Sequence, residues 1–309
     1  MRVLIVCSGN KGEASPFVLE QAQQLEHAGC IVKLFLIQGK GWRGYLRNRA
    51  PLLGSIAEFK PDVVHAHSGM SALLAGLQRR VPAVATYHGS DVNVPKLRFF
   101  TRLSMRLCKV HIVVSADMKR ILRNDDVLVL PCAVNTDVFI PADRMVARQR
   151  LGWSADGIYV LFSSSFSNAV KNAPLAMAAV EVCRDYHIQL MELKDKSRED
   201  VALMLNACDA ALMTSFTEGS PQFVKEAMAC GVPVVSTRVG DVAELSEDLP
   251  GHFMVGFDTE EVARGVKAAI LFRADIGYTN GPDVIRRRGL TPNSVAMELM
   301  RVYTRVAKV

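Results

Sequence analysis

The sequence predicts an α/β protein of two domains, each built on a parallel sheet. Short apolar, β-branched runs alternate with longer amphipathic stretches through all 309 residues. A proline-bearing break interrupts that alternation, and the length suits two domains of roughly 100–200 residues. The first strands are expected at Val3–Cys7, Ile31–Ile37, Asp62–His65, Ala83–Thr86, His111–Val114 and Val127–Leu130. A helix from about Ser15 to Ala28, stopped by Gly29, joins the first two. Such nearly polar-free runs suit strands covered by helices on both faces. From Leu130 to Pro141, two prolines and several turn formers without a sustained period read as an interdomain linker. The alternation resumes at Ile158–Phe162, Ile188–Leu193, Asp209–Met213, Val232–Ser236 and Phe253–Val255. Ser197-Arg198-Glu199-Asp200 and Asp258-Thr259-Glu260-Glu261 carry capping-box patterns, and Thr291-Pro292 opens the last helix with Pro at its first position.

Half of the residues are apolar and 22% are charged, a globular composition with material for two cores. No apolar run approaches the roughly 18–20 residues of a transmembrane helix. The apolar start at Met1–Cys7 is too short for a signal peptide and reads as a buried first strand. The seven cysteines are scattered, odd in number and without a C-x-x-C pair, so neither a disulfide framework nor a zinc site is expected. A reduced, cytoplasmic setting follows as the expectation. The net charge of +6 points to anionic partners without choosing among them.

In open α/β sheets, ligands bind at the carboxyl ends of the strands. The most informative such place is Thr214–Val235. A strand ends near Met213, a polar loop carries Glu218-Gly219-Ser220, and Pro221 stands where a helix would begin. Free N–H groups and the helix dipole make that start an anion site. Glu226 lies on the helix and Gly231 ends it. Taken alone, two carboxylates at this spacing fit a plain βαβ unit with a surface pair better than a site.

They do not stand alone. The stretch resembles the E-x7-E signature of the retaining glycosyltransferases of family 4, in Glu218-Gly219-Ser220-Pro221, Lys225–Cys230 and Gly231–Val235. Pro61–His67, Thr86–Asp91 and Pro131–Phe139 are similar to that family as well, in the same order. The likeness spans nearly the whole chain and is nearest to bacterial members that build cell-surface polysaccharides. It implies a GT-B fold, two Rossmann-like domains with parallel sheets facing across a cleft. The domains implied are an acceptor domain at 1–135, a donor domain at 136–290, and a helix at 291–309 that packs back on the first. It also implies a nucleotide-diphospho-sugar donor (UDP- or GDP-sugar) and a saccharide or lipid-linked acceptor. Carried over by position, Glu226 takes the ribose hydroxyls and Glu218 faces the donor sugar. Backbone N–H groups of Gly219, Ser220, Pro221's neighbours and Gln222 approach sugar and diphosphate, and Lys171 pairs with the diphosphate. His88 leans on the sugar, and Asn10, Lys11 and Gly12 follow Gly9 in the first strand-end loop. Retaining members are thought to use a front-face substitution, so no protein nucleophile is implied. No D-x-D triplet occurs, and no metal or other cofactor is expected.

The chain departs from the family pattern twice. Phe166 stands five residues before Lys171, where the family places an Arg. An extra strand and glycine turn before Ile188 are not found, so the second sheet is expected to be a strand short. Two rival readings remain, a non-catalytic nucleotide-sugar-binding subunit and a GT-B nucleotide-sugar epimerase.

His65 and His67 fall on one face of a strand, a geometry open to metal, yet no third ligand has suitable spacing, which favours a structural or acceptor-side role. The Lys96–Lys109 segment places Arg98, Arg102 and Arg106 at i, i+4 spacing among apolar residues. It reads either as a basic helix on the inner face of an anionic membrane or as an ordinary surface helix. Lys40, Arg43, Arg47 and Arg49, with Trp42 and Tyr45, add charge and aromatics to the same domain. No nucleic-acid module accompanies the charge, so no nucleic-acid partner is expected.

Overall fold

A computed structural model describes residues 1–10 and 12–308. The chain divides into two compact units, one of residues 1–133 with 292–309 and one of residues 134–291.

The first unit opens with β1 (Arg2–Ser8), α1 (Pro16–His27), β2 (Ile31–Ile37), α2 (Gly41–Leu46), α3 (Arg49–Phe59) and β3 (Val63–His67). It continues with α4 (Gly69–Leu77), β4 (Ala83–Tyr87), α5 (Ser90–Asn93), α6 (Pro95–Ser104), β5 (Val110–Val113), α7 (Ala116–Leu122) and β6 (Leu128–Val129). The six strands form one parallel sheet in the order β2-β1-β3-β4-β5-β6. All residues of the central strands β3 and β4 are buried, as strands covered on both faces require. The edges differ from that expectation. β2 is half-exposed, and its Lys33 reaches Glu58 at 2.9 Å, while β6 is reduced to two exposed residues. An edge strand has one unpaired side, and a charged side chain there discourages further pairing.

The second unit contains α8 (Arg144–Leu151), β7 (Ile158–Phe162), α9 (Ala173–Val182), β8 (Ile188–Glu192), α10 (Arg198–Ala207) and β9 (Ala210–Met213). Then follow α11 (Gln222–Ala229), β10 (Val234–Thr237), α12 (Val242–Ser246), β11 (His252–Val255), α13 (Thr259–Asp275) and α14 (Gly281–Arg287). Its five strands are parallel in the order β11-β10-β9-β7-β8. Cores lie on both faces. One groups Leu161, Ala211 and Val234 with α10, α11 and α14, and the other groups Val160, Leu212 and Val235 with α9 and α13. The α10 capping box is formed as its residues dictate, with Ser197 and Asp200 each accepting from the other's backbone N–H.

The last helix, α15 (Pro292–Ala307), belongs to the first unit. Its Val295, Leu299, Tyr303 and Val306 join the core beside α1 and β1. The buried Tyr303 hydroxyl lies 2.6 Å from His65 Nδ1 on β3.

Candidate active site

The candidate site in the second unit grows from the carboxyl ends of β7, β9 and β10, adjacent strands of one sheet. After β7 the chain makes a short 3₁₀ turn (Ala169–Lys171), and Asn172 takes a left-handed conformation with φ of 52° to start α9. The loop after β9 is tied to that turn. Thr214 Oγ donates to the carbonyls of Lys171 and Asn172, both at 2.9 Å, and the Phe216 N–H donates to the Val170 carbonyl at 2.9 Å. Thr237 at the end of β10 donates to the Ser215 carbonyl at 2.7 Å. Three strand-end loops are thereby fixed to one another before any charged group is considered.

On this frame Lys171 Nζ lies 2.6 Å from Glu218 Oε1, and Ser215 Oγ donates to the same oxygen at 2.7 Å. Gly219, Ser220 and Pro221 continue the loop, and Pro221 is the residue before α11, which has no side-chain cap. Pro221 offers no side-chain oxygen to the helix start, so the first turn of α11, beginning with Gln222, faces the loop with its positive dipole end. Gly240 after β10 explains how closely the loops pack. Its φ is +59°, and a Cβ there would come within 2.6 Å of the Gly219 carbonyl oxygen. Only glycine combines that conformation with that approach.

Behind the loop, Lys225 is fully buried and donates to Ser220 Oγ at 3.0 Å, while Ser220 donates to Asp241 Oδ2 at 2.6 Å. Burial pushes the Asp241 carboxyl above its ordinary range, and the Lys225 ammonium and the Ser220 hydroxyl pull it back down. Glu226, one residue on, is 3% exposed and pairs with Arg198 of α10 at 2.8 Å. The Arg198 guanidinium stands 4.6 Å from the centre of the Phe139 ring. Glu218 and Glu226 thus keep separate partners, a lysine before α9 and an arginine on α10.

Phe166 does not point a polar group to this site. Its ring packs on the core beside Phe162, with centroids 5.5 Å apart, and its N–H donates to Glu192 at 2.8 Å. Ser163, just after β7, holds a buried hydroxyl without a hydrogen-bond partner among the described residues.

The remaining candidates lie in the first unit. His88 follows β4, and its ring is held from two sides. His67 Nδ1 is 2.8 Å from His88 Nε2, and Cys132 Sγ is 3.6 Å from His88 Nδ1. Gln21 Nε2 lies 3.5 Å from His67 Nε2 on the far side of that ring, so His67 bridges Gln21 and His88. His65, on the same strand face as His67, is bounded by Tyr303 and by Thr86 Oγ at 2.8 Å. Burial lowers the His67 imidazole from 6.5 to about 3 and takes His65 well below its usual value, so both are neutral. Asp91 accepts from the backbone N–H groups of His88 and Gly69, each at 3.0 Å, and fixes the loop carrying His88. Among the described residues, no group of three or more His, Cys, Asp or Glu is arranged to hold a metal ion.

Asn10 joins the loop after β1 to the loop after β2. Its Nδ2 donates to the Gly39 carbonyl at 3.0 Å, and its Oδ1 accepts from the Gly39 N–H at 2.8 Å. Gly12 has a φ of +96° with open space around it. Lys11 lies outside the described residues.

The structure therefore joins Lys171, Glu218 and the Gly219–Gln222 backbone in one place, with Glu226 on the helix that follows. Three residues of this constellation were not singled out as site residues by sequence reasoning. Arg198 shows there only as part of a capping box, Lys225 only as part of a motif, and Asp241 not at all.

Residues 1–138 match the model of Glycosyltransferase Family 4, and residues 160–271 match that of Glycosyl transferases group 1. A Bacillus subtilis protein named as a teichuronic acid biosynthesis glycosyltransferase, TuaC, is 29% identical over 218 residues. The alignment covers 60% of this chain and 55% of TuaC. The chain spans little more than half the length of the curated relatives it matches. Among solved structures, sucrose-phosphate synthase from Thermosynechococcus elongatus superposes with a TM-score of 0.81 at 16% identity, covering 99% of this chain and 98% of that one. Anabaena HepE, solved in complex with UDP and glucose, gives a TM-score of 0.78 at 19% identity, covering 98% and 99%. Likenesses at this identity speak for the fold, which is GT-B.

Proposed function

Because this chain belongs to the family 4, group 1 glycosyltransferases, we propose that it moves a sugar from a nucleotide-diphospho-sugar to an acceptor hydroxyl, with retention at the anomeric carbon. The observation that carries the proposal is the Lys171–Glu218 pair at 2.6 Å, set beside the N-terminal turn of α11. One cation and a row of aligned N–H groups at a strand end form a receptor for a diphosphate. HepE, of the same fold, was solved with UDP, which favours a uridine donor for this chain too.

In this reading Lys171 holds the diphosphate and stabilises its charge as it leaves, and Glu218 faces the sugar. The N–H groups around Gly219, Ser220, Pro221 and Gln222 reach sugar and phosphates. Glu226, kept in place by Arg198, accepts the ribose hydroxyls. His88, with Asn10, Lys11 and Gly12, serves from the first unit. The acceptor oxygen bonds to the anomeric carbon on the face the leaving group departs from. The bond from that carbon to the phosphate oxygen breaks, the acceptor proton passes to a phosphate oxygen, and a nucleoside diphosphate leaves. Positioning and electrostatics supply the catalysis. Lys171 and the α11 terminus carry the positive charge, so the reaction is metal-independent, and excess chelator is expected to leave turnover intact.

The acceptor in this proposal is a saccharide or lipid-linked hydroxyl of cell-surface polysaccharide or glycolipid synthesis, as TuaC's own name favours. A cytoplasmic location, peripheral on the inner face of an anionic membrane, goes with a lipid-linked acceptor. Among the described residues, no helix is long and apolar enough to cross a membrane.

Phe166 favours a second reading. With its ring in the core rather than a cation at the diphosphate, a non-catalytic nucleotide-sugar-binding subunit fits as well. Product analysis with purified chain and candidate donors and acceptors separates the readings. A new glycoside supports the transferase, binding without turnover the subunit, and an epimerised donor a nucleotide-sugar epimerase.

A further inference from the structure

Between α2, α4 and α6 the first unit holds a pocket of about 380 Å³. Its walls are apolar or aromatic throughout, with Trp42, Leu73, Leu77, Phe100 and Leu107 among them. Its rim is apolar as well. Trp42 is 51% exposed and Leu103 36%, and Phe99, one helical turn before Leu103, is 65% exposed. Phe99 meets the wall residue Phe100 edge-on, with ring centroids 5.5 Å apart. Large apolar side chains gathered around an open apolar pocket mark a binding surface rather than scattered exposure.

The surrounding charge is of one sign. Residues 27–57 and 94–116 contain no Asp or Glu. Lys40, Arg43, Arg47, Lys96, Arg102 and Arg106, drawn from those stretches, are all exposed. Among the described residues, none of these six forms an ion pair. The structure also corrects the expected single basic face of this segment. α6 ends at Ser104, so Arg106 lies beyond it, and Arg98 turns inward to donate to the Val92 carbonyl.

An apolar cavity with an acid-free, basic rim is complementary to a molecule that is hydrocarbon at one end and anionic at the other. A free phosphate would leave the cavity unused, and a neutral bilayer would leave the cations unused. A symmetric second copy would set this basic rim against itself. We propose that this face docks on an anionic phospholipid bilayer and seats one lipid hydrocarbon chain in the pocket between α2, α4 and α6. The inference rests on the membrane part of the reading above and deepens it. The donor site in the second unit takes no part in it.

The test uses the full chain carrying Trp153→Phe, which leaves Trp42 as its one tryptophan. Vesicles of phosphatidylcholine alone are compared with equimolar phosphatidylcholine and phosphatidylglycerol, with and without brominated acyl chains. The chain is expected to sediment with the anionic vesicles and not with the neutral ones, and brominated chains are expected to quench Trp42. Arg102→Gln with Arg106→Gln is expected to weaken vesicle binding about thirtyfold, at roughly 1 kcal/mol for each basic residue near the surface. Phe99→Ser with Leu103→Ser is expected to abolish the quenching. UDP calorimetry on each variant reports folding and the donor site independently. Binding without quenching would overturn the pocket and leave adsorption by charge alone. Absence of binding to either vesicle would remove the membrane reading as well, with the donor reading decided separately by UDP. Self-association in solution that shields Trp42 from acrylamide would give the face to a second copy, against the proposal.

Discussion

Lys171 and Glu218 come from loops after different strands, 47 residues apart, yet their charged atoms lie 2.6 Å from each other. β7 and β9 are neighbours in the sheet, so the loops after them are neighbours too. Thr214 locks one loop to the other through the Lys171 and Asn172 carbonyls. Without a ligand, each side chain neutralises the other. An arriving diphosphate competes with Glu218 for the ammonium, so the two residues should separate in their effects.

Lys171→Ala is expected to weaken UDP binding roughly tenfold to hundredfold, the range for losing charge-assisted hydrogen bonds of about 1.5–3 kcal/mol. Glu218→Gln is expected to retain or tighten UDP binding, because it releases Lys171, while kcat falls about 10²-fold or more. Calorimetry and turnover on the two variants check this. Equal losses of binding in both would mean that the pair is a structural clasp.

Glu226 is read as the ribose partner, and a substrate change tests that more sharply than a deletion alone. The unmodified chain is expected to bind UDP about tenfold more tightly than its 2′-deoxy analogue, and Glu226→Ala to bind both equally weakly. A preference for UDP that survives Glu226→Ala would move the ribose contact elsewhere.

Gly240→Ala adds a Cβ at a left-handed position and within 2.6 Å of the Gly219 carbonyl. It is expected to cost about 1–3 kcal/mol of stability and to weaken UDP binding by displacing the loop before α11. Gly54→Ala, on α3 with open space around it, serves as the contrast and is expected to be neutral or stabilising. Denaturant unfolding with UDP titration distinguishes the two.

Stability should fall in mild acid. Burial lowers the imidazoles of His67 to about 3 and His252 to about 4, and depresses those of His65 and His111. Above the ordinary value of 6.5 both folded and unfolded states are neutral, so nothing changes with pH. Below it the unfolded chain takes up protons that the folded chain refuses, and stability drops until the folded values are reached. Each such histidine contributes at most about 1.4 kcal/mol per pH unit in that window. The raised carboxyls of Asp91 and Asp241 act in the opposite sense, since the folded chain keeps their protons to higher pH, and they offset part of the loss. Urea midpoints at pH 7.0 and about pH 5.5 report the net effect. An unchanged midpoint would contradict a net loss carried by the buried histidines, which then either share the unfolded chain's protonation or are fully offset by the two carboxyls.

Much of this was legible in the residues, and what was not has identifiable causes. Runs such as Asp62–His65 read as strands covered on both faces, and the observed β3 (Val63–His67) and its neighbours form the parallel sheets so expected. Edge behaviour was hidden, because β2 reads like an inner strand except for Lys33, and β6 pairs through only two residues. At the site, Glu218 and Lys171 were legible through the likeness to the family 4 signature, since strand-end position alone fitted a plain βαβ unit better. The Arg198–Glu226 pair was not, because it depends on the packing of α10 beside α11 rather than on spacing. Lys225 carries a charge on a helix, which ordinarily means a solvated face. Its burial becomes sensible only with Ser220 and Asp241 in view. Phe166 showed that a cation was missing, but not that its ring would join the core against Phe162.

The central claim is that the second unit binds a nucleotide-diphospho-sugar. The most direct measurement is metal-free calorimetry and thermal unfolding with UDP, GDP, ADP and their common sugar conjugates. One base is expected to be preferred, adding about 2.7 kcal/mol of stability at a hundred times its dissociation constant, with the gain lost in Glu226→Ala. No response to any nucleotide in the correctly folded chain would contradict the claim, and Lys171 and Glu218 would then be partners in a loop clasp rather than in a donor site.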